Sequence, residues 1–179
     1  MSEPTRPTLL VLTGLPAAGK TTRAKQLEET FGALRLTPDE WMIPLFAHSD
    51  ADGKRDVLEG RLVWVAQRAL RLGVSVILDF GLWGKDERSA LRWLAGEAGA
   101  DCVLVYLPVD ADEQARRVTA RFAAAPESTF AIPAAYLARY RSGFQAPDAE
   151  ELSGDRVDEP PAGYDSWRSW VAARWPTSI

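Results

Sequence analysis

An α/β fold in three layers, with a central mostly parallel sheet between helices, is what this 179-residue sequence predicts. Two observations carry it. Short apolar runs alternate with helical patterns along the chain, as in a parallel sheet whose crossovers are helices. No repeat, low-complexity tract or long linker divides the chain, so residues 1–179 are expected to form a single domain.

The elements follow in order. TLLVLT, Thr8 to Thr13, reads as a buried first strand, and a helical pattern runs from Lys20 to Phe31. ALRLT, ending at Thr37, reads as a short second strand. TPDE then has the form of a helix start: Thr37 as N-cap, Pro38 at the first position, Glu40 completing a capping box and Asp39 facing the helix dipole. Lys54 to Leu72 carries apolar residues at Val57, Leu58, Leu62, Val65, Ala69 and Leu72, the stripe of a core-facing helix. Val74–Asp79 is expected as strand three, Lys85 to Ala98 as a helix, Cys102–Leu107 as strand four and Asp112 to Ala124 as a further helix. PAAYLARYRSGF reads as a helix starting at Pro133, PDAEELSGDRVDEPPAG as loop, and YDSWRSWVAARW as a closing amphipathic helix with Trp167, Trp170 and Trp175. The candidate for a fifth strand is Asp155 to Val157.

Composition excludes several classes. The chain is 46% hydrophobic and 26% charged, which fits a folded domain, and no apolar run approaches the ~20 residues of a membrane span. MSEPTRPT lacks the layout of a secretion signal, and the single cysteine, Cys102, has no internal disulfide partner; a cytoplasmic protein with a buried thiol is expected. A net charge of −4 argues against a nucleic-acid binder that relies on phosphate neutralisation. The sequence contains no asparagine, which removes the guanine-reading N-K-x-D motif and the catalytic-loop asparagine of protein kinases.

GLPAAGKT, Gly14 to Thr21, fits the phosphate-binding pattern G-x-x-x-x-G-K-[ST] between an apolar strand and a helix. Gly14, Leu15, Pro16, Ala17, Ala18, Gly19, Lys20, Thr21 and Thr22 are expected to bind the nucleotide, the loop's backbone N–H groups cradling phosphates at a helix N-terminus. Lys20 should reach the β- and γ-phosphates and Thr21 should ligate Mg²⁺. These are the marks of a P-loop NTPase fold, and they predict a nucleoside triphosphate and Mg²⁺ as ligands.

In an open parallel sheet ligands lie beyond the carboxyl ends of the strands, which gathers Gly14–Thr21, Asp39, Asp79–Trp83 and Asp110 around one crevice. Asp39 is a candidate general base for an acceptor hydroxyl. Asp79, ending an apolar strand, is a candidate Mg²⁺-side carboxylate. Arg117 and Arg121 share a helix face with Arg116 beside them, and can close over a γ-phosphate as a lid. The plainer reading is a solvated face with Glu113/Arg117 or Asp112/Arg116 pairs. Trp41, Phe80, Trp83 and Arg88, with Arg92 four residues on, are candidates for the acceptor side. The DFG triplet at Asp79–Gly81 lacks every other protein-kinase motif.

GLPAAGKTT, LTPDEWM, VILDFGLWGKDER, ARRVTAR and STFAIPAAYLARYRSGFQAPDAEE occur in an order that resembles the small P-loop kinases of the zeta-toxin and polynucleotide-kinase-like group, more closely the AAA-named ATP-binding proteins of this size. The resemblance spans about Thr8 to Glu151. It implies about five parallel strands, a helical lid over about 110–145, and a nucleotide-side loop and C-terminal helix over 146–179. It assigns Asp39 as base, Arg117 and Arg121 as lid arginines, and FQAPDAEE to a stretch near adenine. No arginine directly follows Asp39, where polynucleotide kinases grip a substrate phosphate.

The expectation is an ATP-dependent phosphotransferase acting on a small-molecule hydroxyl, with Lys20, Asp39, Arg117 and Arg121 catalytic. Rival readings are a polynucleotide 5′-hydroxyl kinase, a toxin-type nucleotide-sugar kinase and an acceptor-less ATPase switch.

Overall fold

A computed structural model describes residues 6–48, 51–125, 132–154 and 157–179. The elements are β1 (Thr8–Thr13), α1 (Lys20–Phe31), β2 (Leu34–Leu36), α2 (Pro38–Phe46), α3 (Lys54–Arg71), β3 (Val76–Gly81), α4 (Lys85–Glu97), β4 (Asp101–Tyr106), α5 (Ala111–Ala124), α6 (Ala134–Gly143), α7 (Ala149–Ser153) and α8 (Trp167–Arg174). Among the described residues the sheet has four strands in the order β2-β3-β1-β4, and every neighbouring pair is parallel. The fifth-strand candidate begins at Asp155 and Arg156, which lie outside the described residues; Val157 is in no strand.

Alternation along the central strands builds two cores. Leu10, Leu12 and Ile77 point to one face and bury Ala24 and Leu27 of α1. Leu9, Val11, Val76 and Leu78 point to the other and pack against α3, α4 and α8. Both faces of β1 and β3 are thus covered, which is why these strands read as continuous apolar runs rather than alternating ones.

Several boundaries move for identifiable reasons. The third strand starts at Val76, the partner of both Leu9 and Leu34, and runs to Gly81, opposite Thr13. Ser75 instead serves as a splice: its carbonyl accepts from Leu34 N–H and its hydroxyl from Thr8 N–H. The expected loop after Pro147 contains α7, whose N-terminus is capped by the Asp148 side chain accepting from Glu151 N–H at 2.8 Å. Thr37 does occupy the N-cap of α2, but no capping box forms. Arg35 draws both partners away, donating to Thr37 Oγ1 at 2.7 Å and to Glu40 Oε1 at 2.8 Å.

The C-terminal segment belongs to the core. Trp167, Trp170 and Trp175 pack edge-to-face in series, with centroids 5.7 and 5.8 Å apart. Gly60 of α3 admits the tail: a Cβ there would lie 2.1 Å from the Pro176 carbonyl oxygen. Among the described residues no helix is long and apolar enough to cross a membrane.

Candidate active site

The loop after β1 has the backbone that its glycines and small residues require. Gly14 has φ +153°, and a Cβ there would meet the Leu107 carbonyl at 2.7 Å. Gly19, at φ +96°, turns the chain into α1 in the left-handed region. Lys20 folds back over the loop, its Nζ donating to the carbonyls of Gly14 at 2.9 Å and Leu15 at 3.0 Å. From the far side α5 supports the loop: Gln114 Nε2 donates to Pro16 O at 3.1 Å and Arg117 Nη1 to Ala17 O at 3.4 Å.

Asp79 closes the base of this loop. Thr21 Oγ1 donates to Asp79 Oδ2 at 2.7 Å, and Thr37 Oγ1 reaches the same oxygen at 3.4 Å. Burial pushes the Asp79 carboxyl above the ordinary carboxylate range, opposed by the Thr21 hydrogen bond and the Lys20 charge. Burial also lowers the Lys20 ammonium below its usual value; Asp79 and Asp39 act against that shift, whereas Arg121 and Arg55 reinforce it. The loop therefore holds a cation short of counter-charge, the condition that an incoming phosphate relieves.

One cleft of about 1000 Å³ opens at the carboxyl ends of the strands. Lys20, Thr21, Asp39, Asp79, Phe80, Trp83, Arg117 and Arg121 all line it, as do Pro16, Ala17, Gly19 and Thr22. Gly14, Leu15 and Ala18 of the loop lie outside the lining, and Leu15 and Ala18 are buried. The β3–α4 loop is held in place by Thr13, whose hydroxyl donates to Leu82 O at 2.8 Å, with Leu82 itself at φ +46°. That kink presents Phe80 and Trp83 to the cleft.

Other expected positions fall elsewhere. Arg88 is 3% exposed and forms a two-pronged pair with Glu151, Nε–Oε1 at 2.8 Å and Nη2–Oε2 at 3.0 Å, so it faces the core rather than an acceptor. Arg92 donates to the Glu151 carbonyl in the same cluster. Trp41 is 47% exposed and outside the cleft lining. Asp110 caps α5, accepting from Glu113 N–H at 2.8 Å. FQAPDAEE does not line the cleft; Gln145 and Asp148 tie it to Trp83 and Lys85, and Phe144 stacks on Tyr106. Arg116 and Arg117 both pair with Glu113, so the surface-pair reading and the cleft-facing one coexist in α5.

The sequence reasoning missed a chain of charges at the other end of the cleft. Asp39 accepts from Arg55 Nη1 at 2.8 Å, and Arg55 Nε donates to Glu59 Oε1 at 3.0 Å. Arg174 from α8 lies 3.7 Å from Glu59 Oε2 and binds Asp56 at 2.7 Å and Glu87 at 2.9 Å. Burial raises the Glu59 carboxyl, with Arg55 and Arg174 opposing. A local signal was present: Arg55 and Glu59 are an i,i+4 pair of opposite charge at the start of α3. The C-terminal helix thus contributes Arg174 to the Asp39 end of the cleft. Tyr136 and Tyr140 of α6 also line the cleft and were missed.

Comparisons with known proteins bear on the family and the fold. The AAA domain family AAA_33 matches residues 9–147. No curated protein matches the sequence. A chain of the Pnkp1/Rnl/Hen1 RNA repair complex superposes with a TM-score of 0.66 at 19% identity, over 80% of this chain and 46% of that one. This chain therefore spans about half the length of that relative. A candidate kinase from Chloroflexus aurantiacus J-10-fl gives 0.65 at 23% identity, over 79% of each chain. The APS kinase CysC of Mycobacterium tuberculosis, in complex with AMPPNP and APS, gives 0.58 at 21% identity, over 95% and 96%. These likenesses show the fold. With the family matched from the first strand through α6, the chain belongs to the AAA domain family AAA_33 and shares the fold of these proteins.

Proposed function

We propose that this protein is an ATP-dependent phosphotransferase that moves the γ-phosphoryl group to a hydroxyl of a small-molecule acceptor. The observation that carries the reading is the shared cleft: the phosphate loop with Lys20 and Thr21, the carboxylates Asp39 and Asp79, and the arginines Arg117 and Arg121 all open onto it. An acceptor-less hydrolase has no use for Asp39 beyond its structural pair with Arg55.

In this reading Lys20 leaves the Gly14 and Leu15 carbonyls for the phosphates. Asp39 accepts the acceptor's hydroxyl proton as its oxygen bonds to the γ-phosphorus. The bond from that phosphorus to the β,γ-bridging oxygen breaks, and ADP departs with the electron pair. Arg117 and Arg121 stabilise charge on the moving group. The Thr21 hydroxyl and Asp79 carboxylate are hard oxygen donors 2.7 Å apart beside the loop, and they fit Mg²⁺. When bound, Mg²⁺ supplies charge neutralisation on the β- and γ-phosphates.

The test is ADP formation from labelled ATP, with and without a panel of hydroxyl acceptors. Acceptor-dependent ADP release with label in the acceptor is expected. A constant rate of phosphate release, indifferent to every acceptor, contradicts the reading and favours the ATPase switch.

A further inference from the structure

We propose that the acceptor is a hydroxylated ring bearing an amine and carrying no phosphate, sulfate or carboxylate. The inference rests on the phosphotransfer reading and deepens it. Its basis is that the two ends of the cleft have opposite charge. At the phosphate loop, Lys20, Arg117 and Arg121 face the single carboxylate of Asp79. At the other end, four carboxylates (Asp39, Asp56, Glu59 and Glu87) surround two guanidinium groups, Arg55 and Arg174.

Those two arginines are already committed. Arg55 binds Asp39 and Glu59; Arg174 binds Asp56 and Glu87 and lies beside Glu59. An anionic acceptor has to break one of these pairs and then sit against the carboxylates it displaced. Like charges so placed disfavour binding, which is how a site rejects a wrong partner. The residue after Asp39 gives no alternative grip, because Glu40 is acidic and is turned to Arg35 at 2.8 Å.

The carboxylates are not equally used. Glu87 spends one oxygen on Arg174 and the other on the Gly84 N–H at 3.0 Å, which caps α4. Glu59 is buried between the arginines. Asp39 and Asp56 are each more than half exposed, at 58% and 55%, and each accepts from an arginine only at its Oδ1. Their second oxygens can only accept, so the matching ligand is rich in donors. Hydroxyls meet that need, and an ammonium brings three donors and an opposite charge.

An independent feature points to the same ligand. Trp83, Tyr140 and Tyr136 form a continuous aromatic wall along the cleft, with ring centroids 4.9 Å and 6.2 Å apart. Aromatic faces take the apolar side of a ring and attract ammonium groups through their quadrupole. Carboxylates together with aromatic faces favour a cationic ring over a neutral one, and both over an anion.

The experiment measures kcat/KM with saturating Mg·ATP for glucosamine, kanamycin, glucose and glucose 6-phosphate, at a pH where the amines are protonated. Binding of each to protein loaded with a non-hydrolysable ATP analogue is measured in parallel. An amine-bearing ring at least tenfold better than glucose, with glucose 6-phosphate worst, is expected. That preference should shrink in high salt and fall several-fold in Asp56→Asn. Equal use of glucose and glucosamine overturns the amine; glucose 6-phosphate as the best substrate overturns the charge argument while leaving phosphotransfer intact. If none is phosphorylated, the binding order decides: no binding of either amine to the loaded protein overturns the proposal. ATP turnover indifferent to all four, with no label transferred, contradicts the phosphotransfer reading itself.

Discussion

Arg55 Nη1 donates to Asp39 Oδ1 at 2.8 Å while its Nε holds Glu59 Oε1 at 3.0 Å, so the candidate base is oriented by a guanidinium that is itself anchored in α3. Asp39 sits in the first turn of α2, where the backbone alone leaves its side chain free to rotate. The arginine selects one orientation and keeps a positive charge beside the carboxylate.

Replacing Arg55 by glutamine should therefore lower kcat by about 10–100-fold, the scale of a misplaced reacting group. The KM for ATP should change little, because the phosphate loop does not depend on Arg55. Arg55→Lys should recover only part of the loss, since one ammonium cannot span both carboxylates. Steady-state kinetics that separate kcat from the ATP KM check this. A raised ATP KM with unchanged kcat would move Arg55 to the nucleotide side.

Asp79 predicts a pH dependence. Its carboxyl is raised in the folded protein, mainly by burial, so the folded state holds a proton more tightly than the unfolded state does. Its stabilising contribution is complete below the unfolded value and is lost as pH rises through the raised folded value. Ionising Asp79 in the folded protein leaves a charge buried at a cost. Asp79→Asn should raise Tm at neutral pH, by about 0.5–2 kcal/mol in stability, and should flatten the acid-to-neutral profile. The same variant should lose the added stabilisation from Mg·ATP. Thermal melts across pH, with and without nucleotide, read both effects, and a lower Tm for the variant at neutral pH would count against the assignment.

The pair between Arg88 and Glu151 ties α4 to α7 in a site where both side chains are almost fully buried. Arg88→Leu should cost about 3–5 kcal/mol, the penalty for stranding a buried carboxylate. Adding Glu151→Leu should recover part of it. Urea denaturation measures the difference. Unchanged stability with lost activity would return Arg88 to the acceptor chemistry.

Gly60 makes a separate prediction about the C-terminal tail. Any Cβ there collides with the Pro176 carbonyl, a backbone group that cannot rotate away. Gly60→Ala should destabilise by about 1–3 kcal/mol despite alanine's better helix propensity. It should also weaken the acceptor end of the cleft, because Arg174 is carried by the same segment.

What the sequence shows plainly follows from local rules. The phosphate loop, β1 and α1 were readable because motif, strand and helix occupy consecutive residues and each demands particular backbone angles. Asp39 and Asp79 were readable from their place at strand ends. Arg88 was misplaced because its partner, Glu151, lies 63 residues away, and nothing local marks a buried pair. The capping box at Thr37 failed for a similar reason, since Arg35, two residues upstream, competes for both of its members. Arg55, Glu59 and Arg174 form a network only when α3 and α8 meet, a contact that depends on Gly60 and the buried tryptophans.

The most direct test of the account is Asp39→Asn, assayed for nucleotide affinity and for phosphoryl transfer in the same preparation. The substitution keeps the side chain's shape and removes its capacity to take a proton. ATP binding within about twofold of the parent, with transfer reduced by about 10²–10⁴-fold, is the predicted result. Transfer at near-parental rate in Asp39→Asn would contradict the central claim that this cleft is built around a base.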